Sequence, residues 1–62
     1  MFFRVRREAR ILSLLAGAYG EVGRYADAAQ SARRALAVTP PGDTRSVETL
    51  RARIAQYDSL GQ

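Results

Sequence analysis

Apolar residues in the first third of the chain recur at intervals of three and four, which places them on one face of an α-helix. The stripe comprises Phe2, Val5, Ala9, Leu12, Ala16 and Tyr19, and Ile11 and Leu15 widen it. Gly20 and Gly23 follow, and glycine weakens a helix and permits a tight turn. We therefore predict a first helix over about residues 3–21 that ends in a turn.

The second amphipathic segment is "RYADAAQSARRALAV". Its apolar face carries Tyr25, Ala28, Ala32, Ala35 and Leu36, and its charged side chains fall largely on the other face. Six alanines between positions 26 and 37 make this helix narrow, so a neighbouring helix can approach closely. Two prolines at positions 40 and 41 then interrupt the hydrogen-bond ladder. We predict a second helix over about residues 24–38 and a loop over 39–43.

A third helix is predicted over about residues 44–60. Val47, Leu50, Ile54, Tyr57 and Gly61 follow the same spacing of three and four. Asp43 or Thr44 is the expected N-cap, and Gly61 is a plausible C-cap glycine. No segment alternates strictly between apolar and polar residues. The predicted fold class is therefore all-α, an antiparallel helix hairpin followed by a third helix.

The first two segments together span about 34 residues, the length of one tetratricopeptide repeat. Over residues 9–42 the chain resembles that family. On the first helix, Leu12, Leu15 and Ala16 match its group of two apolar residues and a small one, and Tyr19 matches its aromatic residue. The turn "GRY" follows, then the small residues Ala28 and Ala35 on the second helix and the closing Pro40. The resemblance implies close antiparallel packing around a core of Leu12, Leu15, Ala16, Tyr19, Tyr25, Ala28, Ala35 and Pro40. Gly23 lies in the turn of the same pattern.

One position departs from the family pattern. Ala32 stands where these repeats usually carry a bulky aromatic residue that packs against the next helix. Ile54 and Tyr57 are two large side chains at compatible spacing in the third segment. We predict that they fill the space beside Ala32.

The third segment resembles the single solvating helix that closes many tetratricopeptide arrays. No earlier repeat is in register, because Arg6 occupies the position of an upstream closing proline. Residues 1–62 are thus interpreted as one unit, a repeat with a capping helix. Since each repeat needs neighbours to bury its faces, we expect a terminal piece of a longer array or a homo-oligomerising unit. An apolar edge at Phe2, Phe3 and Val5 would dock an upstream helix or a second copy.

The resemblance also implies a protein-binding scaffold without catalytic activity. In the family, the first helix of each repeat lines a concave surface that holds an extended peptide. Here that concave face would carry Arg10, Ser13, Gly17, Gly20 and Glu21. The lysine and asparagine groups that clamp a peptide carboxylate in some members are missing from these positions, but Arg10 remains able to pair with an acidic group. The alternative left open is that these are ordinary exposed positions of a scaffold.

The net charge of +4 rests on ten arginines, with no lysine. Basic surfaces attract nucleic acids and anionic lipids. Outside "RVRREAR" the arginines are scattered among carboxylates, so we interpret them as a solvated face. The competing hypothesis is a DNA-binding helix-turn-helix whose second helix would present Arg24, Gln30, Arg33 and Arg34.

Composition leaves little for catalysis or cofactor binding. The chain has no histidine, cysteine or lysine, so the usual general bases, thiol nucleophiles and Schiff-base amines are missing. It also lacks the common ligands of zinc and any disulfide. "GAYGEVG" matches neither the P-loop nor the dinucleotide fingerprint. We expect no enzyme activity, no cofactor and no metal.

The opening residues have some features of a secretion signal, with a basic start, an apolar run and "AGA". Glu8 interrupts that start, and the helical stripe continues through the supposed cleavage point. We therefore interpret the segment as a helix of the folded unit. The charge-free run Ile11 to Gly20 is about half of the ~20 residues needed to cross a bilayer. The absence of cysteine is compatible with the cytosol and excludes no compartment.

Overall fold

A computed structural model describes residues 2–61 of the chain, with side chains from residue 6 onward. Three helices follow one another: α1 (Phe2–Glu21), α2 (Tyr25–Val38) and α3 (Thr44–Leu60). No strand occurs among these residues, so the predicted all-α fold class is confirmed. Each observed boundary lies within one residue of its predicted position. The expected apolar edge at Phe2, Phe3 and Val5 lies outside the described side chains.

Gly23 reverses the chain between α1 and α2. Its φ of +80° lies in the left-handed region that favours glycine. Its N–H donates to the carbonyl of Gly20 at 3.2 Å, and the N–H of Arg24 donates to the carbonyl of Tyr19 at 2.9 Å. The prediction of a turn glycine is confirmed for Gly23. Gly20, which we predicted as part of the turn, lies instead in the last turn of α1.

Helix α2 ends at Val38 because the chain turns to an extended conformation at Thr39, with ψ at 130°. The Thr39 hydroxyl donates to the carbonyl of Ala35 at 2.7 Å, which satisfies one carbonyl left free at the helix end. Thr39 is itself buried, and Pro40 follows on the surface. The two prolines thus stand just outside α2, where the sequence predicted the helix to stop.

Both predicted caps of α3 are found. Asp43 occupies the N-cap position, and its Oδ1 accepts from the N–H of Ser46 at 3.4 Å. Gly61 is the C-cap residue, and its N–H donates to the carbonyl of Tyr57 at 2.9 Å. Its φ of −81° is ordinary helical backbone, so the cap does not use the left-handed region.

Helix α2 is the central element, in contact with α1 on one side and α3 on the other. It supplies four of the six buried apolar residues, all of them alanines. The six are Ala16, Ala28, Ala29, Ala32, Ala35 and Leu50. Because alanine has almost no side chain, both neighbouring helices approach the α2 backbone closely. Among the described residues no large side chain is fully buried, so the core is thin.

The residues of the predicted core differ in how far the structure buries them. Ala16, Ala28 and Ala35 are buried, and Leu12, Tyr19 and Tyr25 are half-buried. Leu15 was wrongly predicted to pack in the core, since its side chain is 40% exposed. It precedes Ala16 and is therefore rotated about 100° around the helix from the face that meets α2. Pro40 is also exposed, so its contribution is to the end of α2 and not to the core.

The prediction for the space beside Ala32 is confirmed. Ile54 and Tyr57 are half-buried and pack against the cluster formed by Ala16, Ala32, Ala35 and Leu50. Two large side chains of α3 therefore pack against the alanine cluster that contains Ala32. An ion pair between the Arg33 guanidinium of α2 and Asp58 of α3 joins the same two helices at the surface.

A candidate ligand site in the basic groove between α1 and α3

An open groove of about 520 Å³ lies between the N-terminal halves of α1 and α3. The two helices flank α2 and run in the same direction, so their early residues face each other across it. We call this site the basic groove. Its lining residues are Arg6, Ala9, Arg10, Ser13 and Leu14 of α1, Thr39, Pro40 and Asp43 of the connection, and Arg45, Ser46, Thr49, Leu50 and Arg53 of α3.

Four arginines line the two walls of the basic groove. Arg6 and Arg10 are one helical turn apart on α1, so they share a face of that helix. Arg45 and Arg53 are two turns apart on α3, with Thr49 between them. All four arginines are exposed to solvent. Each wall therefore presents a row of guanidinium groups to whatever enters the groove.

The charge of the basic groove is strongly unbalanced. Asp43 is the one carboxylate among its described lining residues, so four arginines against one aspartate leave a formal charge of +3. Within the described part of the chain, none of these four arginines forms an ion pair. A guanidinium group offers a planar fork of donors that matches a carboxylate or a phosphate. The groove is thus suited to an anionic ligand.

The floor of the basic groove is apolar and its polar atoms are satisfied. Leu50 is only 5% exposed at the base, and half-buried Ala9 lies on the α1 side. Thr39 directs its hydroxyl to the carbonyl of Ala35. No buried side-chain nitrogen or oxygen in the described residues lacks a partner. A ligand would therefore meet charged walls over an apolar base.

At the opposite end of α1 and α3, the two helices are bridged by Tyr57 and Gly20. A Cβ atom placed on Gly20 would lie 2.9 Å from Cε1 of the Tyr57 ring, closer than side chains tolerate. The missing side chain of Gly20 therefore makes room for the aromatic ring. Gly20 serves helix packing here, and Tyr57 covers the position that we had assigned to the concave face.

The predicted concave face is only partly reproduced by the basic groove. Arg10 and Ser13 line it. Gly17 lies on the same face of α1 beyond the lining residues, with open space where a Cβ would be. Glu21 is exposed at the end of α1 and does not line the groove.

Sequence reasoning did not single out Arg6, Arg45 and Arg53 as site residues. Arg45 and Arg53, which we interpreted as scattered charges of a solvated face, line one groove in the structure. The spacing of four between Arg6 and Arg10 is visible in the sequence and could have paired them on one wall. No local signal could have found the other wall. Arg45 and Arg53 reach the groove only because α3 packs beside α2 with this rotation.

Arg24, the N-cap residue of α2, and the arginines within α2 are in a different situation from those of the basic groove. Arg24 pairs with Asp27 at 2.7 Å, and its guanidinium carbon lies 4.9 Å from the centre of the Tyr19 ring. Arg33 pairs with Asp58. Gln30 and Arg34 are exposed on the surface of α2. Two of the four residues that we considered for DNA contact are therefore already partnered within the chain.

Other kinds of site were also sought in the described residues. No group of three or more acidic residues is arranged there to hold a metal ion. None of the three helices, within that part of the chain, combines the length and the apolar character needed to cross a membrane. Comparison of the chain with protein-family models, with curated proteins and with solved structures gave no match.

Proposed function

We propose that this protein is a non-catalytic interaction module of tetratricopeptide type, and that its basic groove binds an acidic segment of a partner protein. The observation that carries the proposal is the convergence of Arg6, Arg10, Arg45 and Arg53 on one groove without an ion pair among the described residues. Unpaired cations facing each other across a cleft raise the local concentration of anionic ligands.

The shape of the groove favours an extended peptide over a compact ligand. It is open to solvent, and its walls run along two helices. Glutamate or aspartate side chains of a peptide would pair with the arginines on either wall. An apolar side chain of the same peptide would lie over Leu50, which gives the complex an uncharged contact as well.

Duplex DNA is the second candidate, because the same guanidinium groups can contact phosphates. The position of the cations favours a peptide. A recognition helix must project from the protein to enter the major groove. Here α2 is packed on two sides, and the four arginines of the basic groove line a concave surface. A narrow, flexible chain enters such a surface more easily than a duplex.

A titration followed by fluorescence anisotropy tests the proposal. The probe is a labelled oligoglutamate peptide, with oligolysine as the peptide control and a mixed-sequence DNA duplex of equal label. We expect oligoglutamate to bind, oligolysine not to bind, and the affinity to fall as salt screens the charges. Tighter binding of the duplex, with a steeper dependence on salt, would favour the DNA hypothesis instead.

Two neighbouring arginines of α3 provide a matched pair of variants. Arg53 lines the basic groove, whereas Arg51 is exposed on α3 but is not among the lining residues. Arg53→Gln is expected to weaken oligoglutamate binding about two- to fivefold, in keeping with one solvent-exposed ion pair. Arg51→Gln is expected to change it by less. Equal effects of the two substitutions would show that net charge, and not the groove, determines binding.

A further inference from the structure

The outer face of α1, turned away from α2, carries an unusual amount of exposed apolar surface. Between residues 11 and 22 six residues are exposed, and five of them are apolar. The five, which we call the apolar stripe, are Ile11, Leu14, Leu15, Ala18 and Val22. The exposed fractions of the large members range from 40% for Leu15 to 71% for Val22.

From Ile11 onward, the apolar stripe makes α1 apolar on two faces. Its inner face, with Ala16 and Leu12, packs on the core, and its outer face is open. A helix that is apolar on nearly all sides is ordinarily buried on all of them. By contrast, the exposed residues of α3 are mostly charged or polar, so that helix is built to face water. The stripe therefore has the character of a contact surface.

The charges at the two ends of the apolar stripe differ in sign. At its N-terminal end exposed Arg7 and Arg10 outnumber exposed Glu8, which leaves that end positive, and exposed Glu21 lies at its C-terminal end. By helical periodicity Arg10 and Glu21 also lie on the same flank of the stripe. Two copies of α1 packed in parallel would bring like charges together. An antiparallel arrangement places Arg10 of one copy near the partner's Glu21.

We propose that the apolar stripe is an interface for a second copy of this chain, with the two α1 helices antiparallel. In this arrangement Ile11 faces the partner's Val22, and Leu15 faces the partner's Ala18. The small side chain of Ala18 lies near the two-fold axis, where it lets the helices approach closely. Association covers the apolar face that the thin alanine core leaves open. Leu14 is shared with the lining of the basic groove and Arg10 lies at the edge of both surfaces, whereas Ile11, Leu15, Ala18 and Val22 do not line the groove.

Sedimentation velocity of the full chain over a range of concentrations tests this proposal. The wild-type protein is expected to form a dimer as concentration rises. Ala18→Arg places like charges across the two-fold axis, so the dissociation constant of the dimer should rise about tenfold or more. Leu60→Arg is the matched control, because Leu60 is 51% exposed but belongs to α3 and not to the stripe. That variant should associate like the wild type. Far-ultraviolet circular dichroism checks that both variants retain their helices.

A charge-reversal cycle tests the antiparallel orientation. Arg10→Glu and Glu21→Arg should each weaken association, and the double variant should restore it, because both cross-copy pairs are then re-formed with reversed sign. A folded wild-type monomer at all concentrations would overturn the proposal in favour of a helix from another polypeptide. Equal effects of Ala18→Arg and Leu60→Arg, or a double variant no better than the single ones, would also overturn it.

Discussion

At the scale of single residues, two glycines on one face of α1 have different surroundings. Gly17 has no atom within 4 Å of the position where a Cβ would be. At Gly20 the same position lies 2.9 Å from Cε1 of Tyr57. Replacement of glycine by alanine within a helix ordinarily stabilises it by about 0.5–1 kcal/mol. Alanine substitutions at the two positions therefore distinguish the effect of helix propensity from the effect of helix packing on stability.

Gly17→Ala is expected to raise the free energy of unfolding by about 0.5–1 kcal/mol. Gly20→Ala gains the same propensity but forces the Tyr57 ring to move, so we expect it to be less stable than Gly17→Ala by about 1 kcal/mol or more. Urea denaturation monitored by circular dichroism measures both values. In a Tyr57→Ala background the difference should shrink. Equal stabilisation by both substitutions in the wild-type background would contradict the close contact between α1 and α3.

At the scale of the helix, Asp43 has two roles. It caps the start of α3, and it is the one acidic group among the described residues of the groove lining. Asparagine caps a helix about as well as aspartate does, whereas alanine does not. The two substitutions therefore separate capping from charge.

Asp43→Asn is expected to leave stability nearly unchanged and to raise the affinity for oligoglutamate about twofold, because a repulsive charge is removed. Asp43→Ala should raise affinity similarly but lower the free energy of unfolding by about 1 kcal/mol. Thermal denaturation and the anisotropy titration provide the two readouts. If Asp43→Asn instead weakened binding, Asp43 would be part of the contact with the ligand. The proposal that the arginines alone attract the ligand to the groove would then be wrong.

The ends of the helices could be predicted from the sequence because their signals are local. Gly23, Pro40 and Asp43 each act on the backbone of their own or neighbouring residues, so no tertiary information was needed. The inner face of α1 was harder to define. Leu15 and Ala16 are adjacent and both apolar, and spacing alone could not show which of them faces α2. Leu15 belongs to the apolar stripe, a second apolar surface of α1. Because the stripe adjoins the inner face in the apolar pattern, we assigned Leu15 to the core.

At the scale of the whole molecule, the site depends on how three helices are arranged. Arg10 and Ser13 were predicted from the resemblance to a repeat family, in which the first helix lines the binding surface. Arg45 and Arg53 belong to α3, whose position and rotation follow from the packing of Leu50, Ile54 and Tyr57 on the alanines of α2. The position of α3 depends on tertiary contacts that no local pattern in the sequence reveals. Arg45 and Arg53 therefore looked scattered in the sequence.

The thin core also affects the molecule as a whole. Small domains with a single core are only marginally stable, and here no large side chain among the described residues is fully buried. A helix bound along the apolar stripe would add buried area where the chain has little. A peptide in the basic groove would add contacts between α1 and α3, because each of these helices otherwise packs mainly on α2. Both proposed interactions would therefore stabilise the fold by mass action.

The most direct test of the central proposal follows the arginine side chains themselves. The experiment is an NMR titration of isotopically labelled protein with oligoglutamate that follows the arginine Nε–Hε resonances. The largest changes in chemical shift are expected for Arg6, Arg10, Arg45 and Arg53. Arg34 and Arg51, which are exposed outside the groove, should shift little. Largest shifts at the arginines of α2, or uniform shifts at all ten arginines, would contradict a ligand site between α1 and α3.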